Sequence, residues 1–212
     1  MKTRLEAGRP VQISDQDLLQ WFIYTDAAYN MEEQTGGIGG VLVDQSGVCV
    51  QWFGFPLNEE MCKTFGCQTK QSIIYELELV AAVHALSYWG DHLAGNLATW
   101  FGDNDSVRYA LIRGAAIGPC GEVIMRFHLE KEASLHSRAW FARVPTEANI
   151  ADFPSRLSQH PLLVPKADVT DSARHSFQSL ISTVDSNSGI HVVDGGDKER
   201  ASPSSKKKRW LA

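Results

Sequence analysis

The sequence has no run of 18 consecutive apolar residues, and no apolar core stands behind its polar start, Met1-Lys2-Thr3-Arg4-Leu5-Glu6. Neither a membrane-spanning helix nor a secretory signal is expected, which points to a soluble, intracellular protein without a membrane partner. The four cysteines, Cys49, Cys62, Cys67 and Cys120, form no CxxC pair and no framework of the small secreted kind. They read as reduced thiols, and a zinc site from Cys62, Cys67 and a histidine is conceivable at an unfamiliar spacing. There is no HExxH, no GxxxxGK loop and no serine or cysteine in a nucleophile elbow. Zinc-protease, nucleotide-loop and serine-hydrolase chemistries therefore lack their motifs.

Positive charge is also scarce. The 212 residues carry 20 Lys and Arg against 25 Asp and Glu, net −5. Residues 10 to 164 hold nine basic and eighteen acidic side chains, net −9, whereas residues 1 to 9 and 165 to 212 each come to +2. A tight autonomous nucleic-acid binder usually shows a basic face, and this chain does not. An acidic core is still compatible with a site built to hold divalent cations, because bound metal neutralises the carboxylates around it.

What is present is ordinary globular composition, 43% hydrophobic and 21% charged, enough for one core with extensions. Residues 1–17 read as a lead-in, 18–164 as one folded domain, and 165–212 as a disordered tail poor in large apolar residues. The tail ends near Lys206-Lys207-Lys208-Arg209, either a nuclear-import signal or a solvated end. Within the domain, residues 19–25 form an aromatic and β-branched strand ending at Asp26, and residues 37–44 and 48–54 form two more around Asp44-Gln45-Ser46-Gly47. Residues 56–68 read as loop. Residues 71–89 contain no Gly or Pro and predict a long helix stopped by Gly90. A fourth strand at 97–101 precedes Gly102-Asp103-Asn104, followed by a short helix to Arg113, a helix over 121–133, a fifth strand over 138–144 and a last helix over 149–157.

Acidic residues fall at the end of strand one (Asp26), in the long helix (Glu78), after strand four (Asp103) and in the last helix (Asp152). If strands one and four are neighbours in a mixed sheet, Asp26 and Asp103 lie at adjacent strand ends, and a helix packed over them brings Glu78 to the same point. Converging carboxylates are the ligand set that hard cations such as magnesium require. An acid closing a largely apolar strand is costly unless something binds it. Glu76 competes with Glu78, but two residues on a helix differ by about 200° in direction. Ala81 and Ala82 lie on the Glu78 side and leave room there. Asp105 reads as a helix N-terminal acid. The run Gly36-Gly37-Ile38-Gly39-Gly40 matches neither nucleotide fingerprint and reads as part of a strand.

Taken in order, Tyr24-Thr25-Asp26-Ala27-Ala28, Glu78 through Leu86, Phe101-Gly102-Asp103-Asn104 and Asn149-Ile150-Ala151-Asp152-Phe153-Pro154-Ser155-Arg156 resemble the four acidic motifs of ribonuclease H. The last is most similar to the RNase H domain of retroelement and pararetrovirus reverse transcriptases. The resemblance covers about residues 18–160. It implies an α/β, RNase H-like fold: a five-stranded mixed sheet, three antiparallel strands then two parallel, flanked by helices. It also implies hydrolysis of the RNA strand of RNA–DNA hybrids with two Mg2+ ions, or Mn2+ in their place, and a reverse transcriptase polymerase domain as partner. Asp26 would bridge both ions, Asp152 would complete one site, and Glu78 and Asp103 the other, while Asn104 and Arg156 would touch substrate. Two features depart from the pattern. Val144-Pro145-Thr146-Glu147-Ala148 contains no histidine for product release, and Ile73-Ile74-Tyr75 replaces the polar residues that contact RNA before the helix glutamate. Alternatives are an RNase H-fold nuclease acting on DNA and a non-catalytic nucleic-acid-binding module.

Overall fold

A computed structural model describes residues 18–65 and 72–157, together with Gln178, Ile181 and Ser182. The lead-in, Cys67, the basic run and nearly all of residues 165–212 lie outside the described residues. Five strands are formed: β1 (Gln20–Asn30), β2 (Thr35–Val43), β3 (Cys49–Leu57), β4 (Leu97–Gly102) and β5 (Arg138–Arg143). The helices are α1 (Glu59–Phe65), α2 (Ile74–Tyr88), α3 (Gly90–Leu93), α4 (Asp105–Arg113), α5 (Gly118–Leu135) and α6 (Asp152–Ser155), with a 3-10 turn at Thr146–Ala148.

The strands lie in one sheet in the order β3-β2-β1-β4-β5. β1 pairs antiparallel with β2, and β2 with β3, while β4 runs parallel to both β1 and β5. This is the mixed sheet expected from the sequence. β1 is central and covered on both faces, so its apolar residues run almost continuously. Trp21, Ile23 and Ala27 enter the main core, whereas Phe22 and Tyr24 pack on a second cluster formed by Val41, Val43 and Ala151. α2 carries the main core: Leu77, Leu79, Val80, Ala81, Ala82, Val83, Ala85 and Leu86 are all buried. A helix apolar nearly all round is an interior helix.

Four sequence expectations need correction. β1 does not end at Asp26 but continues to Asn30, because Gly36, Gly37, Gly39 and Gly40 of β2 extend the hairpin ladder to Asn30↔Thr35. The ladder to β4 stops earlier, at Tyr24↔Phe101, so Asp26 sits inside a strand whose β4 side has just fallen open. The stretch expected as loop holds Pro56, tolerated in edge strand β3, and then α1, which buries Cys62 and Phe65. Gly90 is not a left-handed stop: it opens α3, and the positive φ of 73° falls at Gly95. Last, of the expected terminal helix over 149–157 only the four residues of α6 are helical, and the 3-10 turn lies ahead of it at Thr146–Ala148.

The glycine run does have a packing role. α6 lies directly on β2 and β3. A side chain on Gly39 would collide with the Ser155 amide and meet the Ala151 carbonyl at 2.8 Å, and one on Gly54 would meet the Pro154 carbonyl at 2.5 Å. A Cβ on Gly37 would strike the Ser155 carbonyl. Only bare backbone lets the helix come this close. Beyond residue 157, Ile181 is half-buried against the main core.

Candidate active site

Asp26, Glu78 and Asp103 come from three elements. β1 delivers Asp26 where its β4 neighbour ends, the turn after β4 delivers Asp103, and the first half of α2 delivers Glu78 across the same opening. One carboxylate oxygen from each lies within 4.8 Å of the others. Among the described residues this is the group able to hold a metal ion. Glu76, the competing helix acid, is buried at 1% exposure and stands outside it. Asp105 is also outside. Its carboxylate accepts from Arg108 at 2.9 Å and lies 3.5 Å from Arg143.

Asp152 is close but not part of the triad. Its charge is felt by Asp26, yet its Oδ1 accepts a 2.7 Å bond from Arg156 Nε, one helical turn on. The other residue expected at substrate, Asn104, is held within the protein. Its amide donates to Glu78 Oε1 at 3.1 Å, and its Oδ1 caps α4 by accepting from the Ser106 and Val107 amides.

Two of these acids have a raised proton affinity, and burial is the first cause. Burial pushes the Asp26 carboxyl up to about 7, with Asp103 and Asp152 adding repulsion and the Ser155 hydroxyl opposing it. Burial likewise pushes Glu78 up to about 8, opposed by Asn104 and reinforced by Asp26 and Asp103. Such mutually raised carboxyls mark a site shaped for positive charge. The distances fit a hard cation. Two oxygens on opposite sides of one magnesium are about 4.2 Å apart, twice a 2.1 Å bond. Three oxygens within 4.8 Å of one another would have to draw closer to share one ion, because only one pair among them can lie on opposite sides of it, or they would be shared between two ions. The neighbouring cavity, lined by Thr25, Glu78, Trp100, Asn104 and Phe141, measures about 20 Å3 and takes about one water.

Sequence reasoning passed over two residues here. Asn149, 2% exposed, donates to the Thr25 carbonyl at 3.2 Å and accepts from the Ala151 amide, tying the entry of α6 to β1. Ser155, 1% exposed, has its hydroxyl 2.8 Å from Asp26 Oδ2. Both stand in the last motif, but their work is a long-range contact that spacing along the chain does not reveal. The Ile73-Ile74-Tyr75 departure is structural: Ile73 is buried, and the Tyr75 hydroxyl accepts from the Ile117 amide at 3.1 Å. Cys62 and Cys120 are buried and Cys49 is half-buried, and burial pushes the Cys62 thiol up to about 11.

Sheet order, helix placement and the position of the acids together define an RNase H-like fold. An RNase H1 isolated from compost by a metagenomic approach aligns at TM-score 0.50 and 18% identity, over 66% of this chain and 94% of that one. The same enzyme in complex with an RNA/DNA hybrid aligns at TM-score 0.50 and 20% identity, over 65% and 95%. The N-terminal RNase H domain of a Mycobacterium tuberculosis protein, solved fused to maltose-binding protein, aligns at TM-score 0.50 and 14% identity, over 76% and 99%. No protein-family profile matches the chain, and no curated protein matches it. No helix among the described residues is long and apolar enough to cross a membrane.

Proposed function

We propose that this chain is a metal-dependent ribonuclease H that hydrolyses the RNA strand of RNA–DNA hybrids, acting with a reverse transcriptase polymerase domain. The observation that carries the reading is the convergence of Asp26, Glu78 and Asp103 at the point where β1 and β4 separate. Two bound Mg2+ or Mn2+ ions would activate the attacking water and stabilise the leaving oxygen of the phosphodiester. Asp26, Glu78 and Asp103 would hold the cations, with Asp152, paired with Arg156, as the further carboxylate beside them. The Arg156 guanidinium, 60% exposed, would be open to pair with a phosphate. Asn104 fixes the Glu78 carboxylate and the start of α4 together.

Hybrid as substrate is supported by the compost RNase H1, which was crystallised with one. The polymerase context is supported by the Asn149 to Arg156 motif and by the acidic composition of the domain. With net −9 over residues 10 to 164, a tethered partner supplies local concentration that charge does not. One observation favours a second reading, a nuclease acting on DNA: Ile73 is apolar and buried where the family pattern places a polar residue that contacts RNA. The deciding experiment is cleavage of labelled hybrid, duplex DNA, duplex RNA and single strands in Mg2+, Mn2+ or chelator. Metal-dependent cutting confined to the RNA of the hybrid is expected. Cutting of duplex DNA establishes the second reading, and binding of hybrid without cutting in either metal refutes both in favour of a binding module.

A further inference from the structure

The buried hydroxyl of Ser155 and the glycines beneath it serve one purpose. Ser155 Oγ lies 2.8 Å from Asp26 Oδ2 and 2.9 Å from the Asp152 carbonyl. A hydroxyl has one proton to give, and a carboxylate is a stronger acceptor than a peptide carbonyl, so the proton goes to Asp26 when that group is ionised. A carboxylate oxygen accepting one hydrogen bond keeps a second lone pair for a metal. The contact therefore fixes the rotation of the Asp26 carboxylate without consuming it as a ligand.

The contact spans 129 residues of sequence and depends on α6 lying closer to the sheet than any Cβ would allow. Gly37 and Gly39 abut the Ser155 backbone, and Gly54 abuts Pro154. Asn149 clamps the entry of the same segment to the Thr25 carbonyl, one residue before Asp26. Both ends of the segment that carries Asp152 are thus registered against β1.

We propose that Ser155 is a positioning residue, whose hydroxyl holds the Asp26 carboxylate in the orientation that binds metal, and that the glycines of β2 and β3 are the seat that brings it there. The proposal rests on the reading of the acid cluster as a metal site. It assigns Ser155 no contact with substrate. Removing a hydrogen bond that orients a ligand carboxylate costs roughly 10–100-fold in metal affinity or activity.

The test compares the wild type, Ser155→Ala and Ser155→Cys, the last keeping a donor, weaker and somewhat larger, at the same position. Calorimetric titration with Mg2+ alone measures metal affinity, and hybrid cleavage against Mg2+ concentration gives the half-saturating metal and the maximal rate. For Ser155→Ala the dissociation constant and the half-saturating concentration should both rise by roughly 10-fold. The rate at saturating Mg2+ should stay within about 3-fold, because the liganded site is then restored by mass action. Ser155→Cys should fall between. A merely structural serine would lower the melting temperature and leave the metal affinity of the folded protein unchanged, and that result overturns the proposal. Failure of both variants to fold overturns it as well, by making the hydroxyl a structural requirement. If the wild type binds Mg2+ but does not cut hybrid, the proposed activity falls while calorimetry still decides the role of Ser155. If the wild type binds no Mg2+, both fall.

Discussion

Replacing Asp26 by Asn should stabilise the metal-free protein, increasingly so as pH rises. Asn has the shape of a protonated aspartate and cannot ionise. The wild-type carboxyl moves from an ordinary value of 3.8 to about 7 on folding, driven first by burial and then by Asp103 and Asp152. The folded state therefore holds this proton more tightly than the unfolded state. Its stabilising effect is complete below about pH 4 and is lost as pH climbs through 7. The distance between 3.8 and about 7 corresponds to about 4 kcal/mol in favour of the neutral form. Asp26 and Glu78 titrate against each other, so the second carboxyl takes up part of the strain, and about 2 kcal/mol is the expected gain above pH 8. For a chain of this size that is a rise of roughly 4–8 °C in Tm. Thermal melts of wild type and Asp26→Asn in chelator, at pH 4 and pH 8.5, measure it. The two should coincide at pH 4 and separate at pH 8.5, with the variant higher. Saturating Mg2+ should raise only the wild type. A variant no more stable than wild type at pH 8.5 without metal would refute the account of Asp26 as a carboxyl held in a repulsive, cation-seeking site.

The other expectations concern the helix acid and the glycine seat. Glu78→Gln should lower hybrid cleavage by roughly 100-fold or more and weaken Mg2+ binding, whereas Glu76→Gln should leave metal affinity within about 3-fold of wild type. Calorimetry at a temperature where both are folded decides this, and the reverse order would place the wrong glutamate at the metal. Gly39→Ala should cost about 1–3 kcal/mol in urea denaturation, because its Cβ collides with the Ser155 amide and α6 must back away. Cleavage should fall with it, and a variant with wild-type stability and rate would show that α6 does not need its close seat.

The sequence by itself determined the order of elements and which acids were worth attention. The aromatic run before Asp26, the Gly- and Pro-free stretch around Glu78 and the apolar run closing on Asp103 are local patterns, set by the packing periods of strands and helices. Those periods also separate Glu78 from Glu76, since the two side chains leave a helix in nearly opposite directions. What the chain could not disclose depended on distant backbone. β1 outruns Asp26 because the glycines of β2 carry the hairpin ladder onward, so the acid stands inside a strand and not at its end. Local propensity gave no warning of α1 after Pro56 or of the shortening of α6 to four residues, where packing against the sheet decides what is helical. Asp152 was legible as an acid in the last motif, but its bond to Arg156 appears only once α6 is in place. Gly37, Gly39, Gly54 and Ser155 read one by one as strand and turn residues. Their meaning is steric, and it emerges only where two remote stretches of backbone come closer than a methyl group permits.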